Sequence, residues 1–230
     1  MLGSSLESVR KRIESSCQRC GREASSVTLV CVTKNVPVEA IQEAVALGVF
    51  DIGENRIQEA RDKRETLGEQ ALGIRWHLIG HLQRNKAKLA VKLFDVIHSV
   101  DGQPLVDELQ RHAASENKKL PVFLQVNVSG EPTKSGCHPE DAQGLAEKIN
   151  ACPNLSLAGL MTIPPALEPE QAKPYFRKLR LLRDLLQEKL PGRDKLKLSM
   201  GMSADFEAAI EEGADFIRVG TAIFGERPAG

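Results

Sequence analysis

The chain has 230 residues, enough for one α/β domain of barrel size or two small ones. Its 31 lysines and arginines balance 31 aspartates and glutamates, and Trp76 and Tyr175 are its only tryptophan and tyrosine, so it offers neither the basic excess of a nucleic-acid binder nor an aromatic platform for bases. No apolar run approaches the ~20 residues of a membrane span, the start MLGSSLESVRKRIESS carries charges where a secretory signal is apolar, and five cysteines suit a reducing compartment, so a cytoplasmic protein is expected.

Residues of about 5–20 read as an amphipathic helix, with Leu6, Val9 and Ile13 at helical spacing and Gly21 as its stop. The first strand is VTLVCVTK, Val27 to Lys34, apolar and β-branched as in strands buried on both faces. It ends on a lysine, a residue rarely buried without a partner, so Lys34 has either an exit to water or a task. Pro37 opens the next helix, which carries Val38, Ile41, Val45 and Leu47 on one stripe and closes at Gly48. A short strand, Val49 to Ile52, runs into Gly53-Glu54-Asn55-Arg56 and the helix IQEARDKRETLG. The third strand, Trp76 to Ile79, leads through Gly80-His81 into the basic helix LQRNKAKLAVKL. The fourth is DVIHSV, then Asp101-Gly102 and a helix from Pro104 to about Asn117; the fifth is PVFLQVNV, then SGEPTKSG and a helix opened by His138-Pro139. The sixth is LSLAGLMTI, followed by a helix of about 170–190 rich in Leu and Arg. The seventh is KLKLSMG, followed by Met202-Ser203 and ADFEAAIEEG; the eighth is DFIRVG, with TAIFGERPAG after it.

Alternating β and α signals mean parallel strands joined by helical crossovers. Eight such units predict a single (β/α)8 TIM barrel over residues 1–230, with an added N-terminal helix and a truncated last unit. A doubly wound open sheet is the rival, but it calls for a Gly-rich dinucleotide turn after the first strand, where TKNVP stands instead. No composition shift marks a second domain.

Barrel enzymes carry their sites at the C-terminal ends of the strands. That rule selects Lys34, then Glu54, Asn55 and Arg56, then His81, Asp101 and Lys134, with Met161 and Thr162, Ser199 to Ser203, and Arg218, Gly220 and Thr221 from the last strands. Phosphate sites in such barrels use the loops after strands seven and eight. SMGMS and VGT stand at those two places with glycines and hydroxyls, whereas Asp205 just behind Ser203 would oppose a phosphate. A phosphate site with a lysine across the barrel mouth suggests a phosphorylated aldehyde held as a Schiff base; the amine must shed its proton to attack, and desolvation favours that neutral form.

VTKNVP, GENRIQEA, WHLIGHLQRNK, GLMTIPP, LSMGMSADFEAAI and IRVGTAIFGER run in order through nearly the whole chain. Through them the sequence resembles the YggS/PROSC family of pyridoxal phosphate-binding proteins, the pyridoxal phosphate homeostasis proteins. The resemblance implies a barrel related to the N-terminal domain of alanine racemase, with pyridoxal 5'-phosphate on Lys34. It implies that Ser203, Gly220 and Thr221 hold the phosphate and that Arg218 faces the pyridine nitrogen. Asn55, His81, Met161 and Lys134 would line the ring, Lys134 near the phenolic oxygen, and Ser199 and Met202 complete the expected set. One departure is visible: the family often reads VSKTKP, and Val36 stands here where its second lysine would be, which puts any role of that lysine in passing the cofactor on in doubt.

The same resemblance separates carrier from catalyst. Racemisation needs bases on both faces of the α-carbon, and in the racemase the second is a tyrosine from a further domain that this sequence is not expected to have. Tyr175 falls in the helix after strand six. A non-enzymatic protein that stores and releases pyridoxal phosphate is therefore expected, with apo enzymes as recipients. The alternative is a low-activity amino-acid racemase using a base such as His81; a phospho-sugar isomerase needs a carboxylate or Glu–His pair instead. Cys17-x-x-Cys20 lacks the second pair of a zinc site, and His77 and His81 do not share a face as a helical metal pair would, so no metal is expected. Arg84 to Lys92 reads as a solvated face, Leu179, Leu182, Leu185 and Leu186 as barrel packing, and the lack of an apolar seam points to a monomer.

Overall fold

Eight short runs rich in valine, isoleucine and leucine form the strands: β1 (Thr28–Val32), β2 (Asp51–Glu54), β3 (Arg75–Leu78), β4 (Val96–Val100), β5 (Leu120–Gln125), β6 (Leu155–Met161), β7 (Lys197–Ser199) and β8 (Phe216–Val219). They come from a computed structural model that describes residues 1–190 and 194–226. Arg227, which closes the IRVGTAIFGER motif, lies outside the described residues.

The strands are parallel and pair in sequence order, and β8 returns to β1 with Val30 opposite Arg218 and Cys31 opposite Val219. The sheet is a closed barrel, which disposes of the open doubly wound alternative. Between the strands run α2 (Val38–Ala46), α3 (Ile57–Leu67), α4 (Ala87–Leu93), α5 (Gln103–Ser115), α6 (Ala142–Asn150), α7 (Pro169–Lys189) and α8 (Phe206–Glu211), each with one buried face on the strands. The unit after β8 is the single turn α9 (Thr221–Phe224). The added helix, α1 (Leu2–Arg19), covers this side of the barrel: Leu6, Val9, Ile13 and Cys17 are buried, and Arg12 pairs with Glu207 at 2.9 Å and stacks over Phe206.

Several boundaries move for local reasons. Gly48 takes a left-handed φ of 81° and Val49 N–H closes back on the Ala44 carbonyl, so β2 begins at Asp51, two residues after the expected start. Glu54 thereby becomes a strand residue. The expected helix from Leu82 begins only at Ala87, after a 3-10 turn at Arg84–Lys86. β5 stops at Gln125, because Asn127 N–H and Cys137 N–H bind across the loop to the Cys137 and Gln125 carbonyls, folding it into its own layer.

Apolar packing is divided. The large core lies between strands and helices, while the barrel interior holds a small cluster of Val96, Phe123 and Met161, with Phe216 against it. His98 stacks on Phe123 inside the barrel at 4.4 Å. The interior is therefore partly polar, unlike the branched aliphatic filling usual for such barrels.

Candidate functional site

A cavity of ≈ 550 Å³ opens at the C-terminal ends of the strands, within the size range of small-molecule sites. Of the residues singled out from sequence, Asn55, His81, Lys134, Met202, Ser203, Arg218, Gly220 and Thr221 lie on its wall. Lys34, Met161 and Ser199 are not among the lining residues. Met161 is fully buried with Val96 and Phe123, because as the last residue of β6 it turns into the barrel. Ser199 is buried too, and reaches the cavity only through Arg218. Lys34 is half-buried two residues beyond β1; Val32, one strand repeat before it, is on the wall.

The turn that carries Lys34 is fixed by buried ions. Lys63 on α3 donates to the Thr33 carbonyl at 2.6 Å, to Glu54 at 2.7 Å and to Glu59 at 2.6 Å. Thr33 donates its hydroxyl to Glu54, and Glu59 accepts the Asn35 N–H at 2.6 Å. Asn35 itself sits at a φ of 56°, the left-handed region that asparagine tolerates. Both neighbours of Lys34 are thus tied to one ionic cluster. Burial pushes the Glu54 carboxyl up, and the Lys63 charge and hydrogen bond pull it back. Val36 N–H binds the Thr33 carbonyl at 2.9 Å, and the Val36 side chain is buried in the core, so Val36 is a packing position.

The β7–β8 corner presents neutral donors to the cavity, and one carboxylate off the cavity wall closes its turn. The Ser203 hydroxyl oxygen accepts the N–H groups of Gly220 and Ala222 at 3.2 and 3.3 Å. Gly201 has a φ of 93°, and a Cβ there would stand 2.6 Å from Ala209, so only glycine makes this turn. The Asp205 carboxylate accepts the Met202 N–H at 2.6 Å, closing the turn. Burial pushes Asp205 up, against the Met202 hydrogen bond and the Arg218 charge. The carboxylate that counted against an anion site is therefore engaged in holding the loop.

Arg218 is buried in the cavity wall, donating from Nη1 to Ser199 at 2.7 Å and from Nη2 to the Thr162 carbonyl at 2.9 Å. Burial pushes it down to about 10, which leaves it a cation at neutral pH. On the far rim His81 faces Asp101 at 3.5 Å, and burial raises the Asp101 carboxyl against the pull of His81. Lys134 sits on the loop after β5, which Asn127 braces through the Glu131 carbonyl and the Gly130 N–H.

Sequence reasoning misses Gln125, the polar end of β5, because the strand predicted from PVFLQVNV extends to Val128. It also misses Lys63, since a lysine four residues after a glutamate on a helix ordinarily faces water, and the interior pair His77 and His98, visible only as polar residues at inward alternating positions. Tyr175 lies on α7, packed against the core beneath Lys178, and is not on the cavity wall. Among the described residues no group of three or more His, Cys, Asp or Glu is arranged to hold a metal, and no helix is long and apolar enough to cross a membrane. The Cys17 and Cys20 thiols are free.

A family model described as the alanine racemase N-terminal domain matches residues 5–228. A pyridoxal phosphate homeostasis protein of Aquifex aeolicus is 47% identical over 227 residues, 96% of each chain. One of Pseudomonas aeruginosa is 43% identical across 100% of this chain and 97% of its own. Among solved structures, PipY of Synechococcus elongatus with PLP bound superposes with a TM-score of 0.86 at 37% identity, over 98% of this chain and 100% of that one. Alanine racemase from Corynebacterium glutamicum shares the fold, at a TM-score of 0.70 and 16% identity, this chain covering 63% of its length.

Proposed function

The chain belongs to the alanine racemase N-terminal domain family, among relatives named pyridoxal phosphate homeostasis proteins, and on that premise we propose that it binds pyridoxal 5'-phosphate (PLP) in one domain, holds it on Lys34 as a Schiff base, and serves cytoplasmic PLP homeostasis without robust catalysis. The observation that carries this reading is the pairing, on one cavity wall, of a buried arginine with the Ser203–Gly220–Thr221 corner, beside the turn of Lys34. A ring nitrogen and a phosphate are the two acceptor ends of PLP, and these are the two donor groups that fit them.

When bound, the cofactor supplies an aldehyde with which an uncharged lysine amine condenses, releasing water. The ion cluster behind Thr33 and Asn35 would hold the Lys34 backbone still for that bond. Ser203, Gly220 and Thr221 would take the phosphate, with the Ser203 oxygen already where two backbone N–H groups converge. Asn55, His81 and Met202 would flank the ring, and Lys134 would meet the phenolic oxygen. Met161 would support the ring's surroundings from the interior and Ser199 would act through Arg218.

Arg218 would meet the pyridine nitrogen as a donor that keeps its proton, leaving the ring a weak electron sink, which suits holding over turnover. A racemase needs a base on each face. Tyr175 is outside the cavity, and His81 is the rim residue left for that task. Two assays on the purified protein decide between the readings: racemisation of alanine and other amino acids, and transfer of PLP to an apo enzyme. Transfer without racemisation is expected; racemisation at an ordinary enzymatic rate overturns the carrier reading. The protein is expected to sediment as a monomer.

A further inference from the structure

We infer that His98 and His77 are positioning residues for Arg218: through Ser199 they form a one-way hydrogen-bond chain, ending on Asp51, that locks the guanidinium in the cavity wall. The contacts run Arg218 Nη1 to Ser199 Oγ at 2.7 Å, Ser199 Oγ to His98 Nδ1 at 2.8 Å, His98 Nε2 to His77 Nδ1 at 2.9 Å, and His77 Nε2 to Asp51 Oδ1 at 2.8 Å. Both histidines and Ser199 are fully buried. The chain begins at the end of β7 and finishes at the start of β2, so it passes through the barrel interior from the cavity side towards the opposite end.

The direction follows from what each group can do. Arginine only donates, so Ser199 accepts from it. Among the described residues the Ser199 hydroxyl has one other partner, His98, and its proton therefore goes to His98 Nδ1. A neutral His98 then carries its own proton on Nε2 and donates to His77 Nδ1. His77 in turn carries its proton on Nε2 and donates to the Asp51 carboxylate, which only accepts. Arg75 pairs with the same carboxylate at 3.2 Å. Cation and anion thus stand at the two ends, and every bond between them polarises the next in the same sense. Burial, then His77, then Arg218 hold His98 well below its ordinary range, so it stays neutral. Phe123 and Phe216 pack against its ring.

The consequence is geometric. With its proton turned to His98, Ser199 always offers a lone pair to Nη1, while the Thr162 carbonyl takes Nη2. The guanidinium is held at two points and keeps further N–H groups for a ligand. Remove His98 and the serine hydroxyl loses its acceptor and can turn its proton against the cation. The claim rests on the reading in which Arg218 meets the PLP ring nitrogen, and the test separates the two.

In apo protein labelled with 15N-histidine, NMR is expected to find His98 and His77 both neutral with the proton on Nε2 at neutral pH. A His98 proton on Nδ1, or a doubly protonated His77, overturns the chain whatever becomes of PLP binding. In PLP-loaded protein, His98→Leu is expected to change the pH dependence of the bound cofactor's absorption and to release it roughly tenfold faster. His98→Gln, whose amide accepts on one side and donates on the other, is expected to restore both. A His98→Leu spectrum and release rate equal to wild type overturn the inference; should that variant fail to fold, Ser199→Ala cuts the same chain and is read in the same way. Failure of the wild type to bind PLP defeats the functional reading alone, since the nitrogen measurement still decides the chain.

Discussion

The turn that carries Lys34 is held by a cluster of three ions, whereas the neighbouring β7–β8 corner turns a hydroxyl and backbone N–H groups to the cavity and has a single carboxylate, Asp205, closing its turn. In the first, Lys63 bridges two carboxylates and a carbonyl behind the chain, and no part of that cluster needs to move for a ligand. In the second, the Ser203 oxygen occupies the focus of two N–H donors that an incoming phosphate oxygen can share. Buried ion clusters are rigid because losing one member strands the others; neutral donors exchange partners at small net cost. The contrast suits a fixed tether beside an exchangeable anion, which is what a carrier requires.

The comparison breaks most visibly at Lys63. Lys63→Met leaves Glu54 buried without its cation and should cost roughly 3–5 kcal/mol in denaturant unfolding; a loss below about 1 kcal/mol would remove the ionic clamp from the account. Pairing it with Glu54→Gln should recover part of that loss, because the stranded charge is gone. Ser203→Ala should cost only about 1 kcal/mol of stability yet weaken PLP binding roughly tenfold, read by equilibrium titration. If stability falls as far as in Lys63→Met, the two corners are alike after all. His98 adds a pH dependence. Its folded range lies well below 6.5 through burial, His77 and Arg218, so the unfolded chain takes up this proton first as pH falls. Its stabilising contribution is present above pH 6.5 and declines below it, by about 1 kcal/mol between pH 6.5 and 5.5; His98→Leu should remove that part of the slope. The smallest effect belongs to Tyr175→Phe, which should leave cofactor binding unchanged within about 0.5 kcal/mol. A change in PLP binding or in any racemisation would bring α7 into the site.

The barrel was legible because its signals are local. Each strand is a short β-branched run and each helix carries one apolar stripe, so element type and order follow from periodicity alone. The rim residues followed from strand ends, and eight of them, from Asn55 to Thr221, line the cavity. What periodicity does not carry is which way a strand's last residue faces. Met161 and Ser199 end their strands but turn into the barrel, and a two-residue shift of β2 puts Glu54 against Lys63. Lys63 itself was unreadable, since a lysine four residues from a glutamate on a charged helix usually faces water. The His77–His98 pair was equally hidden: DVIHSV reads as an ordinary buried strand until the closed barrel brings Ser199 of β7 to the imidazole of β4.

The most direct test of the account is reduction with borohydride in the presence of PLP, followed by peptide mapping. A yellow protein whose absorption band is lost on reduction, with the pyridoxyl group on Lys34 and a Lys34→Ala variant that takes no label at the corresponding peptide, is the predicted result. Labelling on Lys134 or elsewhere in place of Lys34, or a protein that binds no PLP at all, would contradict it.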